Sequence, residues 1–195
     1  MDLAGVMFMH EFTKILIFDI IFCILITSAG YVSADNETST ATTKIITPIQ
    51  IHKKQDLNFG KMAAGNSAGT VTIDPTKWGN DRVSVNGVVI VSSAKINDAW
   101  FEVSGEKGVL YVVTLPSTIT VTSSSNSMLV DNFICTPWSN SGWAPEPTPG
   151  ISGTVGTLRS SNGKDDIFIG ATLHVNAMQP QGTYTGSFSV TVAYQ

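Results

Sequence analysis

The chain has 195 residues, of which 43% are apolar and only 13% are charged, and its formal net charge is −4. Soluble proteins usually carry about 25% charged residues, and here Ser, Thr, Asn and Gly fill the deficit. This composition is typical of an exported β-rich protein, and a charge this small does not favour nucleic acid as a partner.

The first 34 residues are predicted to be a signal peptide. Lys14 precedes the apolar run Ile15–Ala29, and small residues lead up to Ala34, so we expect cleavage after Ala34. An uncleaved membrane anchor is the alternative. The run is shorter than the roughly 20 residues that a membrane span needs, and it contains Asp19, which is costly in a bilayer. Met9 is an alternative translation start.

The mature chain would begin at Asp35 and leave no membrane segment. Cleavage removes one of the 11 basic and three of the 15 acidic residues, which leaves a net charge of −2. One cysteine, Cys135, remains, so we predict no internal disulfide. We expect Cys135 to be a small buried apolar residue, with an intermolecular disulfide as the second alternative.

Residues 35–44 are polar and are predicted to be disordered, and residues 45–195 are predicted to form a single domain. Short apolar runs separated by turn residues predict its strands. In chain order these runs are Ile45–Ile51, Asp56–Lys61, Thr70–Asp74, Val83–Val91, Trp100–Val103, Val109–Leu115, Ile119–Thr122, Met128–Ile134, Ile151–Leu158 and Ile167–Val175.

Several turn signals refine this prediction. Pro48 lacks a backbone donor, so its strand should be an edge strand or broken in two. Asn86-Gly87 indicates a hairpin turn or a bulge, and Ser104–Gly108 indicates a five-residue hairpin loop. About 8–10 short strands without a helix predict an all-β protein, an antiparallel sandwich or barrel. Of the two, we expect the β-sandwich, with the C-terminal strand completing a sheet.

The closing strand has the clearest pattern in the chain. Gly182–Gln195 alternates between apolar and small polar residues, which is typical of a strand with one buried face. A chain end this regular should be paired, either within its own fold or with another molecule. The candidate assembly residues on its apolar face are Tyr184, Phe188, Val190, Val192 and Tyr194.

Residues 135–150 interrupt the series of short predicted strands. This segment, Cys135–Gly150, contains four of the eight prolines and two of the four tryptophans, so we predict a long surface loop. Trp138 and Trp143 are the best candidate binding residues, because exposed rings stack on sugars or anchor a partner. The alternative, which we favour, is that both rings fold back and cap the domain.

No enzyme, cofactor or metal site is predicted. Gly65–Gly69 matches the G-x-S-x-G pattern, but a strand follows where the nucleophile elbow needs a helix. His52 and His174 are interpreted as solvent-facing strand residues. Asp165-Asp166 follows a glycine turn and lacks the spacing of a calcium loop, so we interpret it as a polar hairpin tip.

Six short segments of the predicted domain together match a known family pattern: Leu57–Gly60, Ala64–Ile73, Phe101–Gly105, Thr114–Pro116, Phe168–Leu173 and Gln181–Tyr194. In these segments the sequence resembles a family of secreted bacterial proteins, domain of unknown function 4402. The resemblance covers roughly Ile45–Gln195 and implies an exported bacterial domain with an immunoglobulin-like sandwich and no assigned activity. The Trp- and Pro-rich segment departs from the family pattern.

The closing strand is also similar to those of chaperone–usher pilins and spore-coat U-type domains, in which an aromatic residue stands next to the last position, as Tyr194 does here. This resemblance implies a fimbria-like structural protein in the periplasm, at the cell surface or outside the cell. Its partners would be other copies or a periplasmic chaperone, joined by strand addition. Ile45–Ile51 is the candidate donor strand. The alternative is a self-contained secreted module that binds glycan or protein through Trp138 and Trp143.

Overall fold

A computed structural model describes residues 34–77, 83–91, 95–140 and 153–195. The chain divides into two compact units between Lys44 and Ile45. In the first unit, residues 34–44 are exposed and have no regular secondary structure. The described part of the second unit contains twelve strands: β1 Gln50–Gln55, β2 Met62–Ala64, β3 Gly69–Ile73, β4 Val83–Asn86, β5 Val88–Ile90, β6 Ala99–Ser104, β7 Leu110–Thr114, β8 Thr118–Ser123, β9 Asn126–Pro137, β10 Thr154–Thr157, β11 Lys164–Val175 and β12 Thr191–Tyr194.

All strand pairs are antiparallel, and the described residues contain no α-helix, which confirms an all-β antiparallel protein. The large sheet has seven strands. β6 and β3 pair with successive parts of one edge of β11, with β1 beyond β6 and β4 beyond β3. β9 pairs with the other edge of β11, and β8 lies beyond β9. This sheet curls into a half-barrel. A second sheet has the order β10-β7-β12, and β2 pairs with β5 in a small third sheet. None of the described helical segments is long and apolar enough to cross a membrane.

The long strand β11 organises the core. Its odd-numbered residues from Asp165 to Val175 are buried, and they face the same cluster as Tyr111 and Val113 of β7. The large and the three-stranded sheets therefore bury their apolar faces together, as sheets with one hydrophobic face must. The buried members of this cluster are Ala99, Val103, Tyr111, Val113, Leu115, Met128, Val130, Phe133, Cys135, Leu158, Ile167, Ile169, Ala171, Leu173 and Val175.

A β-bulge in β9 changes which residues face the core. Asn132 has φ 47°, and the register with β11 shifts between Gly170 and Thr172. The extra residue in a bulge moves the following side chains to the other face, and Asn tolerates the left-handed region better than most residues. The core residues of β9 are accordingly even-numbered before the bulge and odd-numbered after it.

Two predicted strands are wrong in part. Asp56–Lys61 forms only an isolated bridge between Asn58 and Asn97, because the Asn58 side chain accepts a hydrogen bond from Gly60 N–H and turns the chain. Asn86-Gly87 is neither a hairpin nor a bulge. The chain changes sheets there, since β4 pairs with β3 and β5 pairs with β2, and Gly87 takes φ 72° at the corner.

The predicted hairpin across Ser104–Gly108 is also wrong. β6 belongs to the large sheet and β7 to the three-stranded sheet, so this loop is a crossover between sheets. Gly105 is required there because a Cβ at its position would overlap the Tyr194 hydroxyl. A hairpin does form between β8 and β9, with Thr118–Ser123 paired to Asn126–Asp131.

The closing strand is shorter than predicted. Only β12 is paired in a ladder, with β7, and upstream of it Thr185 makes a single bridge to Thr122. The predicted alternation of burial nevertheless holds, because Tyr184, Phe188, Val190, Val192 and Tyr194 are half-buried against the core and the residues between them are exposed. The sequence alternation therefore predicted correctly which side chains are buried, but it predicted a longer paired strand than the one observed.

The Trp- and Pro-rich loop begins later than predicted. Cys135–Pro137 form the end of β9, opposite Ile167–Ile169, and Trp138–Asn140 form a short 3-10 turn. Pro137 is tolerated because it is the last residue of the strand. Trp143 and residues 1–33 of the predicted signal peptide lie outside the described residues, so the predictions on them stay predictions.

Candidate functional site

The closing segment crosses the domain between the two main sheets. It starts at Thr185, beside the β8 edge of the large sheet, and ends in β12 of the three-stranded sheet. Phe188 packs on Phe133 of β9 with a centroid distance of 5.1 Å. At its start, the Tyr184 hydroxyl donates a hydrogen bond of 2.8 Å to the Pro180 carbonyl. The segment therefore covers one side of the core with its apolar residues.

Tyr194 ties the chain end to the start of the domain. Its hydroxyl donates to the Thr47 carbonyl at 2.5 Å and accepts from the Glu106 N–H at 2.6 Å. The Thr47 N–H in turn donates to Glu106 Oε2 at 3.2 Å. Both backbone groups of Thr47 are thus held, which fixes the residues just before Pro48 against the end of β12.

One edge of β12 is open. Gln195 N–H donates to the Leu110 carbonyl, and antiparallel strands alternate between hydrogen-bonded and non-bonded residue pairs. Thr191 and Ala193 are therefore the residues of β12 that bond to β7, and the backbone groups of Val192 and Tyr194 face away. They have no backbone partner within the part of the chain that the structure describes. We call these groups the free edge of β12.

The start of the Trp- and Pro-rich loop is held by a buried carboxylate. Asp165 is fully buried and accepts hydrogen bonds from the Tyr111 hydroxyl at 2.7 Å, from the Ser139 N–H at 2.9 Å and from the Ser139 hydroxyl at 2.5 Å. The Ser139 hydroxyl also accepts from the Thr157 N–H of β10. We call Asp165, Tyr111 and Ser139 the loop base, because Ser139 is one residue before the last described residue of this segment, Asn140.

Burial dominates the electrostatics of the loop base. Loss of water raises the pKa of Asp165, although its hydrogen bonds from Ser139 and Tyr111 oppose that shift. Burial and the neighbouring Asp165 carboxylate raise the pKa of Tyr111. The Tyr111 hydroxyl is therefore a permanent donor at neutral pH, and the loop base is a structural clasp instead of an acid–base pair.

Three aromatic rings line the outer face of the large sheet. Phe168 of β11 stacks on Trp100 of β6 with a centroid distance of 6.1 Å, and Trp138 meets Phe168 edge-on at 6.2 Å. Trp100 is 36% exposed and Trp138 is 44% exposed. Since β11 lies between β6 and β9, the rings follow one another across the strands. We call Trp100, Phe168 and Trp138 the aromatic row.

Ion pairs flank the aromatic row. The Trp100 indole N–H donates to Asp166 Oδ1 at 2.8 Å, and Arg159 donates to Asp166 Oδ2 at 3.3 Å. On the same face, Lys164 lies 3.0 Å from Glu102 and lowers the pKa of that carboxyl. The polar groups beside the rings are therefore both donors and acceptors.

The described residues contain no group of three or more side chains that could hold a metal ion. In the Gly65–Gly69 motif, residues 65–68 connect β2 to β3, which begins at Gly69, so the expected loop between two strands is confirmed. His52 is exposed in β1 as expected. His174 is bonded to Asp131 at 2.8 Å on the outer face of the large sheet.

Cys135 is fully buried in β9 and forms no disulfide with the other described residues. Burial raises the pKa of its thiol to about 12. A buried neutral thiol is a poor nucleophile. The predicted burial of Cys135 is therefore confirmed, and the alternative, an intermolecular disulfide, would require the thiol to become exposed.

Sequence reasoning missed most of the site. Asp165-Asp166 is not a hairpin tip, because β11 already begins at Lys164 and its alternation turns Asp165 inward and Asp166 outward. Trp100 and Phe168 were assigned only to strands. Their contact depends on the pairing of β6 with β11, which places Phe168 opposite Trp100. The two residues are 68 positions apart in sequence, so no local pattern predicts the contact.

These features describe an all-β, antiparallel domain with an open strand edge and an exposed aromatic row. The family model of DUF4402, a domain of unknown function, matches residues 49–194, so the chain belongs to this family. No curated protein and no solved structure matches the chain.

Proposed function

We propose that the chain is an exported, non-enzymatic structural subunit of the cell surface, a pilin-like protein that joins other copies of itself by strand addition. The observation that carries this proposal is the free edge of β12. Unpaired strand edges accept strands from other molecules unless they are protected. The backbone groups of Val192 and Tyr194 offer such an edge at the end of the chain.

The donor in this proposal is the segment Ile45–Ile49 of a neighbouring copy. Within one chain, Thr47 of this segment is bound to Tyr194, beside the free edge of β12. Contacts made within one chain re-form between chains when an element is exchanged. Ile45, which is 94% exposed, would then become covered by the neighbouring copy. A periplasmic chaperone would occupy the same edge before assembly.

The architecture in this proposal is an immunoglobulin-like sandwich of the large and the three-stranded sheets. Their shared core supports it. A second support is the hydrogen bond from the Tyr184 hydroxyl to Pro180, four residues upstream, which is similar to the tyrosine corner of such sandwiches. In this proposal the signal peptide is cleaved after Ala34 during export. N-terminal sequencing of the protein from its native cells would test this cleavage.

The test of strand addition is a proline at the free edge. Val192→Pro removes an N–H that faces away from β7, so it blocks an incoming strand and preserves the hydrogen bonds within the domain. Ser189→Pro, three residues upstream in an exposed position outside β12, is the matched control. We expect wild type and the Ser189 variant to form ladders on gels after mild heating in detergent, and the Val192 variant to run as a monomer. A ladder from the Val192 variant, or no ladder from wild type, contradicts the proposal.

A second candidate function is a self-contained binding module that contacts glycan or protein through the Trp138/Trp143 loop. The exposure of Trp138 beside the clasped loop base supports it, because a rigid ring loses little freedom on binding. Trp138→Ala and Trp143→Ala should abolish retention on a glycan array without lowering the thermal midpoint. Unchanged retention would exclude this candidate.

A further inference from the structure

The aromatic row is a rigid apolar surface that faces solvent. Large exposed aromatic side chains that lie together mark binding sites more often than single exposed residues do. Trp100 and Trp138 stand at the two ends of the row, and Phe168 lies between them. The core of the domain lies on the opposite face of the same strands, so the packing of the domain does not require these rings.

Two consecutive aspartates hold this surface in place. Asp166 fixes the Trp100 indole N–H from the outer face. Asp165 fixes both donors of Ser139, the residue next to Trp138, from the inner face. Rings that are already ordered lose little conformational entropy on binding a ligand. The aromatic row is therefore preorganised for binding a ligand.

The charges around the row select the chemistry of the ligand. The cations Arg159, Lys164 and Lys54 are balanced by Asp166 and Glu102, which pair with them at 3.3, 3.0 and 3.6 Å. Among the described residues, these ion pairs thus leave an excess of one positive charge and a mixture of donors and acceptors. A polyanion would need a strong positive field, and a purely apolar ligand would remove these charged pairs from water without offering them new hydrogen bonds.

We propose that the aromatic row binds a neutral saccharide chain. The C–H faces of the sugar rings stack on Trp100 and Trp138, whose large rings combine an apolar face with a polar edge. The sugar hydroxyls, which both donate and accept, hydrogen-bond to the Asp166 carboxylate and the Arg159 guanidinium. Because the row spans three successive rings, the ligand has more than one sugar unit.

This inference shares Trp138 with the second candidate function and adds Trp100 and Phe168, which lie outside the loop. It does not depend on strand addition. A binding site made by the loop alone would need Trp138 and Trp143 but not Trp100, so the Trp100 variant separates the two.

The experiment measures the affinity of the purified mature protein for neutral oligosaccharides selected from a glycan array. We expect Trp100→Ala to weaken binding at least about tenfold. The matched control is Val89→Ala, at a residue that is 68% exposed on the separate small sheet, and it should bind like wild type. In wild type, the saccharide should also protect tryptophan fluorescence from an aqueous quencher, a readout that needs no variant.

Several results would overturn the inference. One is full affinity in the Trp100 variant while the Trp138 variant loses binding, which would leave only the loop as a binding site. Others are retention restricted to sulfated or sialylated glycans, binding to a protein ligand only, or no fluorescence protection by any neutral saccharide. Ladder formation by the Trp100 variant should equal that of wild type, which keeps this test separate from the test of assembly.

Discussion

Replacing Asp165 with alanine should destabilise the domain through the loop base. The substitution removes the acceptor of the Tyr111 hydroxyl and of both Ser139 donors. Tyr111 is fully buried, so water cannot replace the lost partner. Ser139 is half-buried, and its donors can turn partly towards solvent.

The magnitude follows from these environments. An unsatisfied buried donor costs about 1–3 kcal/mol, and more when its partner was charged. We assign about 2 kcal/mol to Tyr111 and about 2 kcal/mol to the two Ser139 donors together. Removing the buried carboxylate also removes its desolvation cost, which offsets part of this loss. The net loss of about 3 kcal/mol corresponds to a fall in the thermal midpoint of roughly 6–12 °C for a domain of this size.

Thermal and urea unfolding of the mature chain would measure this loss, with Asp166→Ala as the control. Asp166 is the next residue, but its hydrogen bonds to Trp100 and Arg159 lie at the surface, where such pairs contribute about 0–1 kcal/mol. The reasoning is refuted if the Asp165 variant unfolds within 1 °C of wild type. It is also refuted if the two variants lose equal stability.

Three further predictions concern buried polar groups. The pKa of Asp165 is higher in the folded than in the unfolded chain, so the stability that its proton provides is complete below about pH 3.9 and is lost as the pH rises through the folded value. The Asp165→Asn variant does not titrate at this position, so the wild-type unfolding free energy should fall relative to that of the variant between roughly pH 3.5 and pH 7; a difference between the two proteins that does not change with pH would contradict this. Thr136→Val should raise the thermal midpoint by about 2–4 °C, because the Thr136 hydroxyl is buried and has no hydrogen-bond partner among the described residues; a lower midpoint would count against this. Cys135 should react with a thiol reagent only after denaturation, since its thiol is buried and its pKa is about 12; rapid labelling of the native protein would disprove that.

The sequence predicted burial more reliably than pairing. From Tyr184 to Tyr194 the alternation identified the side chains that pack against the core, because a period of two is set by which face of an extended chain is apolar. It could not show that the backbone leaves β8 after Thr185 and joins β7 only at Thr191. Extended segments look alike in sequence whether they lie in one sheet or pass between two.

The candidate site was predicted only where one residue carries the signal. Trp138 was recognised because it stands in an unusual segment, whereas Asp165 was interpreted as part of a polar turn. Its burial depends on donors from Tyr111 and Ser139, which lie 54 and 26 positions away. These hydrogen bonds depend on the order and register of the strands, and neither can be read from the local sequence pattern.

The two proposed surfaces can act independently because different strands carry them. The aromatic row lies on the outer face of β6 and β11, and the free edge belongs to β12 in the other main sheet. Residues that share no partner and lie far apart have additive effects. A protein with both Trp100→Ala and Val192→Pro should therefore lose saccharide binding and ladder formation together, each to the extent seen in the single variant. A larger combined loss of either property would mean that the two surfaces are coupled, for example because assembly places the aromatic rows of several copies on one ligand.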